Sequence, residues 1–316
     1  MAKSINPANP LSREELKKFT EISTVKGISL ILLDYAVLAA LIYGAATINH
    51  WAVYLLAIPL IANRQHSLLI QMHDAAHGNI SKNKKLNDFV GELLTAWPMF
   101  IRMEPYRITH NLHHSFSNTN KDPDFIEERF PQSQEVLKKA LLKDLLGLGI
   151  LDQFKNMKRL KAPCSPKIKA LRILFYLSLA SVITFFGVWK MYLLLWVLPL
   201  FTWLKFILHV RSIADHSGPE LQLNEHPFNT RTVIPSLFDI LFIAPRNCSY
   251  HMAHSIYAKV PTYHLKACHE AIMKHEIFQE KARITDGYHN LLNEFPKTEV
   301  EVKEKNFDFF QGSVFS

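Results

Sequence analysis

The octapeptide at 107–114, RITHNLHH, carries three imidazoles at His110, His113 and His114. On a helix these stand at i, i+3 and i+4 and share one face. Such a trio would repel itself if protonated, and would leave ring nitrogens unsatisfied if buried and neutral, so it has the character of a metal-ligand set. Three further motifs extend the pattern. HDAAH places His73 and His77 at i and i+4, HMAH places His251 and His254 at i and i+3, and RSIADH ends on an isolated His216. Eight of the sixteen histidines therefore fall in four short motifs. One metal takes about three to five such ligands, so eight are enough for two ions. An all-nitrogen set suits zinc, copper, iron or nickel, and spacing alone does not choose among them.

The elements that must position these motifs read as membrane spans. Of the 316 residues 48% are hydrophobic, with 21 Phe, and the apolar residues gather in blocks. Gly27 to Thr47 is long enough to cross roughly 30 Å of hydrocarbon. Asp34 within it is expected to face neighbouring helices or water rather than lipid. A second span over 51–72 leaves the bilayer carrying HDAAHG, with Gly78 as its stop. Spans over 171–188 and 191–209 form a second hairpin, and continuing the last of them delivers His216 to the same surface. Two shorter apolar stretches, Asp88 to Ile101 and Thr232 to Ala244, suit an interfacial position.

Four spans put both termini on one side. Basic residues near the N-terminus, at Lys155, Lys158, Arg159, Lys161, Lys167 and Lys169, and at Lys205 and Arg211 assign that side to the cytoplasm. Every histidine motif falls there too. The expected fold is an all-α membrane protein: four transmembrane helices in two hairpins, with a cytosolic helical cap carrying the histidines. Residues 1–26 form a cytosolic N-terminal segment, 27–270 the membrane unit and 271–316 a cytosolic C-terminal tail. No cleavable signal pattern or organelle signal is visible, which suits a bacterial inner membrane.

The net charge of +8 comes without a basic repeat interleaved with aromatics, so a membrane accounts for it better than nucleic acid. Cys164, Cys248 and Cys268 lie far apart, with no CxxC pair to suggest a disulfide framework or a cysteine zinc site.

In their order, and with membrane pairs between them, the motifs resemble those of the integral-membrane fatty acid desaturase and hydroxylase superfamily. HDAAH matches its first histidine box, HNLHH the second and HMAH the third, over roughly residues 60 to 270. The resemblance implies two non-heme iron ions held by His73, His77, His110, His113, His114, His216, His251 and His254 at the cytosolic membrane face. It implies activation of dioxygen and removal of hydrogen from an unactivated acyl chain, carried as an acyl lipid or acyl thioester. Double-bond formation makes a desaturase; a hydroxylase or ketolase acting on a carotenoid or another lipid is the alternative. No heme-binding HPGG module, iron–sulfur cysteine run or glycine-rich dinucleotide fingerprint is present, so electrons come from a separate donor such as a ferredoxin or a cytochrome b5-like protein.

One position departs from the superfamily. Its third box usually ends in two adjacent histidines, whereas His254 here is followed by Ser255. Asn247, four residues before His251 and on its face if that segment is helical, is a candidate additional ligand, directly or through water. His209, His226 and His264 are reserve ligands. Asp74 and Asp215, and Asp122 and Asp124 in SNTNKDPDF, are candidates to orient imidazoles.

Two other classes fit less well. HDAAH is near the zinc-protease motif HExxH, but Asp74 has a shorter reach than glutamate and six histidines would have no use at one zinc. A histidine-rich metal carrier predicts ligands inside the spans or in a flexible tract, and the motifs lie outside both.

Overall fold

The computed structural model describes residues 6–117, 119, 121–123, 133–149, 164–217, 221 and 225–295. Asp124, Lys155, Lys158, Arg159, Lys161 and residues 296–316 lie outside the described residues. After a short α1 (Arg13–Phe19), α2 (Thr24–Ile48) and α3 (Trp51–His77) form a hairpin. The Ser23 side chain caps α2 by accepting from the Lys26 N–H, and Asn49 ends it in the left-handed region at φ 47°. Gly78, at φ 80°, ends α3 immediately after His77 and donates its N–H to the carbonyls of Ala75 and Asp74. Glycine adopts this backbone without strain, so the chain turns away and leaves both imidazoles on the last turn of α3.

Next come α4 (Lys84–Val90), a π-helical turn at Gly91–Ala96 and a 3-10 turn at Trp97–Met99. They lead to α5 (Met103–Phe116), which carries RITHNLHH, and on to α6 (Gln134–Leu145). The second hairpin is α7 (Pro166–Phe185) with α8 (Trp189–His216). A π-helical stretch at Leu193–Val197 and a non-helical Thr202 interrupt α8. The chain then forms β1 (Arg231–Ile234), α9 (Leu237–Phe242), α10 (His251–Ile256), α11 (Thr262–Ile272), α12 (Glu276–Lys281), β2 (Arg283–Asp286) and a 3-10 helix at Tyr288–Glu294.

Four helices, α2, α3, α7 and α8, are long and apolar enough to cross a membrane. Half of the apolar window of α3 is buried inside the protein, against 6% for α7, so the other elements pack around α3 while α7 faces outward. Each even-numbered span ends in a histidine, His77 on α3 and His216 on α8. Two hairpins in sequence bring those two ends to the same side. Short α9 leaves Leu237, Phe238, Ile240 and Leu241 exposed, a surface that suits the edge of a bilayer.

Packing continues beyond residue 270. β1 and β2 pair in parallel with Arg231 opposite Arg283, and Phe278, Tyr288, Leu291 and Phe295 are buried, so the packed unit continues to Phe295. Both strands are four residues long and far apart in sequence, which leaves no periodicity to read. Arg231 ties them in: it is fully buried, donates to the Ala214 carbonyl at 2.7 Å and pairs with Glu294 at 2.5 Å.

Asp34 turns inward, as its place in an apolar span requires. It is wholly buried, accepts from Ser67 at 2.6 Å, and pairs with Arg64 at 3.2 Å and Arg246 at 2.7 Å. Arg246 also donates to the Leu30 carbonyl at 2.9 Å and to the Ser67 hydroxyl at 3.0 Å. One carboxylate thus joins α2, α3 and the turn that leads into α10. Removing one member of a buried ion cluster strands the others in low dielectric, at about 3–5 kcal/mol. Asp34→Ala is therefore expected to lower the thermal unfolding midpoint in detergent sharply, while Lys84→Ala, which breaks an exposed pair with Asp88, leaves it nearly unchanged. Equal midpoints for the two variants would contradict this role for Asp34.

Candidate metal centre

The eight box histidines come from α3, α5, α8 and α10, and the structure sorts them into two groups. His73, His77, His110, His114 and His254 form the larger group, their ligand nitrogens all within 4.8 Å of one another. His110 Nε2 lies 3.1 Å from His114 Nε2, which lies 3.1 Å from His254 Nε2. The smaller group is His113, His216 and His251. Its Nε2 atoms of His216 and His251 are 2.9 Å apart, and the rings of His113 and His216 meet edge to face with centroids 4.7 Å apart. The groups adjoin, since His110 and His113 are 5.7 Å apart by centroid and His251 and His254 5.9 Å.

Within α5 the shared face divides between the two groups. At ~100° per residue His113 and His114 point in clearly different directions, one to each side of His110. His114 follows His110 into the larger group, and His113 turns to α8 and α10.

Several side chains fix the ring orientations. Asp122 holds His113 with both carboxylate oxygens at 2.9 Å from Nδ1, so the Nδ1–H donates and the ring orientation is fixed. On His251, Nδ1 faces Asp215 at 3.6 Å, and Asp215 itself accepts from Arg211 at 2.6 Å. The Ser117 hydroxyl stands 3.4 Å from His216 Nδ1. All three rings of the smaller group therefore present Nδ1 to an oxygen, and His216 and His251 present Nε2 to one another. Asp74 does something else. It accepts from the backbone N–H and the hydroxyl of Thr262, at 3.1 and 2.7 Å, and so pins α3 to the start of α11.

Other contributors carried no ligand signature in the sequence. Arg107 donates to the carbonyls of Ala76 and Ala75 at 2.9 and 3.2 Å, and Lys259 donates to the His77 carbonyl. Both cations satisfy the open carbonyl end of α3 and hold its imidazole-bearing turn. Tyr106 stacks on His110, with centroids 5.0 Å apart and planes 12° from parallel. A cleft of about 680 Å³ opens beside this turn, walled in part by His77 and His114.

The donor set fits a metal. Two ring nitrogens each ~2.1 Å from one ion, and at right angles, lie ~3 Å apart, which is the spacing found in both groups. Among the described residues, buried His77 Nε2 has no hydrogen-bond partner, a costly state that a bound ion would relieve. Burial and the neighbouring imidazoles hold His254 well below the ordinary histidine pKa; burial and Arg211 do the same for His251. Both rings are thus neutral, the form that binds metal.

The remaining candidates fall elsewhere. Asn247 is not on a helical face with His251, because α10 begins at His251 and Asn247 occupies a turn at φ 57°. Its side-chain amide donates to the Thr262 carbonyl at 3.2 Å. Among the reserve ligands, His209 bonds to Asp144 at 2.6 Å through Nδ1 and His264 packs on Tyr263. His226 lies within hydrogen-bond reach of Ser255.

The fatty acid desaturase family matches residues 49–286, a stretch that contains all eight box histidines. A dihydrorhizobitoxine desaturase of Bradyrhizobium elkanii is 26% identical over 96% of this chain and 92% of its own length. An sn-1 acyl-lipid omega-3 desaturase (ferredoxin) of Synechocystis is 26% identical over 80% of this chain and 76% of its own. The chloroplastic omega-6 fatty acid desaturase of Arabidopsis thaliana is 28% identical, with 64% of this chain and 49% of the relative aligned. With the family match extending over well over half of its residues, and with its histidines gathered at the ends of two apolar hairpins, the chain belongs to the fatty acid desaturase family.

Proposed function

We propose that this chain is an oxygen-dependent acyl desaturase of the membrane that holds two iron ions, one in each histidine group. The observation that carries the reading is the sorting itself: four distant sequence motifs meet as two adjoining sets of imidazoles. The family uses iron, and two irons with open positions would supply dioxygen activation and hydrogen abstraction. The protein's part is positional. Asp122, Asp215 and Ser117 orient the smaller group, Arg107 and Lys259 fix the end of α3, and the cleft beside His77 and His114 admits solvent and small reactants to the larger group.

The substrate is an acyl chain presented from the bilayer as an acyl lipid or thioester. The named substrate of the Synechocystis relative supports a lipid, and that relative's ferredoxin supports a separate electron donor. The basic flank assigns the histidine-bearing side and both termini to the cytoplasm, in a bacterial inner membrane.

Expression in a host without endogenous desaturases, with a ferredoxin and its reductase supplied, tests the reaction through the fatty acid profile of the lipids. The expected outcome is a new double bond, lost at least ~100-fold in His110→Ala and His216→Ala. A hydroxylated or ketone product in its place would move the assignment to the hydroxylase branch, and no oxygen-dependent product at all would overturn it. Asp122→Asn keeps the shape of the side chain but removes the charge that sets the His113 tautomer. It is expected to weaken retention of iron against a chelator by ~10–100-fold with the fold intact, and unchanged retention would contradict the role given to Asp122.

A further inference from the structure

A second cavity, of about 440 Å³, shares no lining residue with the cleft beside His77 and His114, and none of the eight box histidines lines it. Helical spacing explains two of its walls. Leu137 and Leu141 stand at i and i+4 on α6, while Phe206, Val210 and Ile213 stand at i, i+4 and i+7 on α8, so each helix turns an apolar stripe to the same space. Leu291 and Leu292 of the 3-10 helix at Tyr288–Glu294 supply a third wall. The polar members gather at one end. Ser236 donates its N–H and its hydroxyl to Asp239 Oδ2 at 2.9 and 2.8 Å, the Tyr288 N–H reaches the same oxygen at 3.4 Å, and His289 follows Tyr288. No lysine or arginine lines the cavity.

The elements that flank the cavity are the ones that show apolar side chains outward. Phe238 of α9 lines the cavity and is also exposed, so it stands at the mouth. Around it Leu237, Ile240 and Leu241 are exposed, and on the other flank so are Leu142 of α6 and Leu146 and Leu148 just beyond it. Short helices with an outward apolar face lie in the membrane interface with that face toward the acyl chains. The wall formed by α8 belongs to a helix long and apolar enough to span the bilayer. The apolar lining is therefore continuous, through Phe238, with a surface that suits the edge of the bilayer.

We propose that this cavity holds one alkyl chain of a bilayer phospholipid, which enters past Phe238 and seats α6 and the 3-10 helix at Tyr288–Glu294 on the membrane. The apolar body takes the chain and the polar end meets the more polar part of the lipid. A soluble polar ligand would find too few free partners on these walls, whereas the bilayer supplies alkyl chains at the mouth. The chain restores the dispersion contacts that apolar walls forfeit across an empty space. Because no box histidine lines the cavity, the inference is independent of the two-iron reading.

Photolabelling of the full-length protein in nanodiscs of phosphatidylglycerol tests this, with a fraction of the lipid carrying a diazirine near the end of one acyl chain and the labelled residues found by mass spectrometry. Wild type is expected to carry label on the inner walls, at Leu137, Val210 and Leu291, as well as on the outer face of α9. Leu141→Trp and Leu292→Trp, each filling the cavity from a half-buried position, are expected to lower the inner-wall label at least ~10-fold and to leave the label on α9 unchanged. Leu241→Trp, on the outer face, is expected to keep the inner-wall label. Size-exclusion profile and circular dichroism confirm that each variant is folded. Label confined to the outer face of wild type would overturn the inference without reference to any variant. So would inner-wall label that survives both filled variants. Inner-wall label seen only after removal of residues 296–316 would overturn it too, by giving the space to the chain's own tail.

Discussion

Ring nitrogens 2.9 to 3.1 Å apart on His110, His114, His254, His216 and His251 set the condition that the rest of the structure meets. Imidazolium rings at that spacing would repel one another strongly in a buried site, whereas neutral rings meet there either with one N–H donating to its neighbour's lone pair or with a positive ion between two lone pairs. The spacing therefore demands neutral rings and is also the spacing of two nitrogens on one metal. The scaffold around the histidines can be understood as the means of imposing it. Gly78 stops α3 so that His73 and His77 lie on its final turn, Arg107 and Lys259 hold the carbonyls of that turn, and Asp122 fixes the tautomer of His113.

A second constraint comes from the apolar surroundings. Each polar group placed among the spans must find a partner within the protein, and Asp34 does so by collecting Arg64, Arg246 and Ser67. The consequence reaches the centre, because Arg246 precedes α10 by only a short turn and α10 carries His251 and His254. The same cluster that makes a charge tolerable in α2 thereby anchors the approach to two of the box histidines. Stability and site geometry are linked through one carboxylate.

Much of this was legible in the sequence because its signals are local. Blocks of apolar residues marked the four spans, and i, i+3 and i+4 spacings marked the histidine motifs. What escaped was set by direction and by distance along the chain. The motif HNLHH does not say that His113 and His114 serve different groups; the helical rotation does, once partners stand on both sides. No local pattern links Asp34 to Arg246, Asp74 to Thr262 or β1 to β2, since each pair is joined only in the folded chain. The helical placement expected of Asn247 relative to His251 fails for a related reason: spacing is informative only if the segment is helical, and α10 begins four residues later.

The central claim is that adjacent residues on one helix serve two different ions. Mössbauer spectroscopy of protein loaded with iron-57 tests it most directly, by comparing wild type with His113→Ala and His114→Ala. The account predicts two iron environments in equal amounts in wild type, with each substitution depleting a different one. A single environment in wild type, or the same loss from both substitutions, would contradict it.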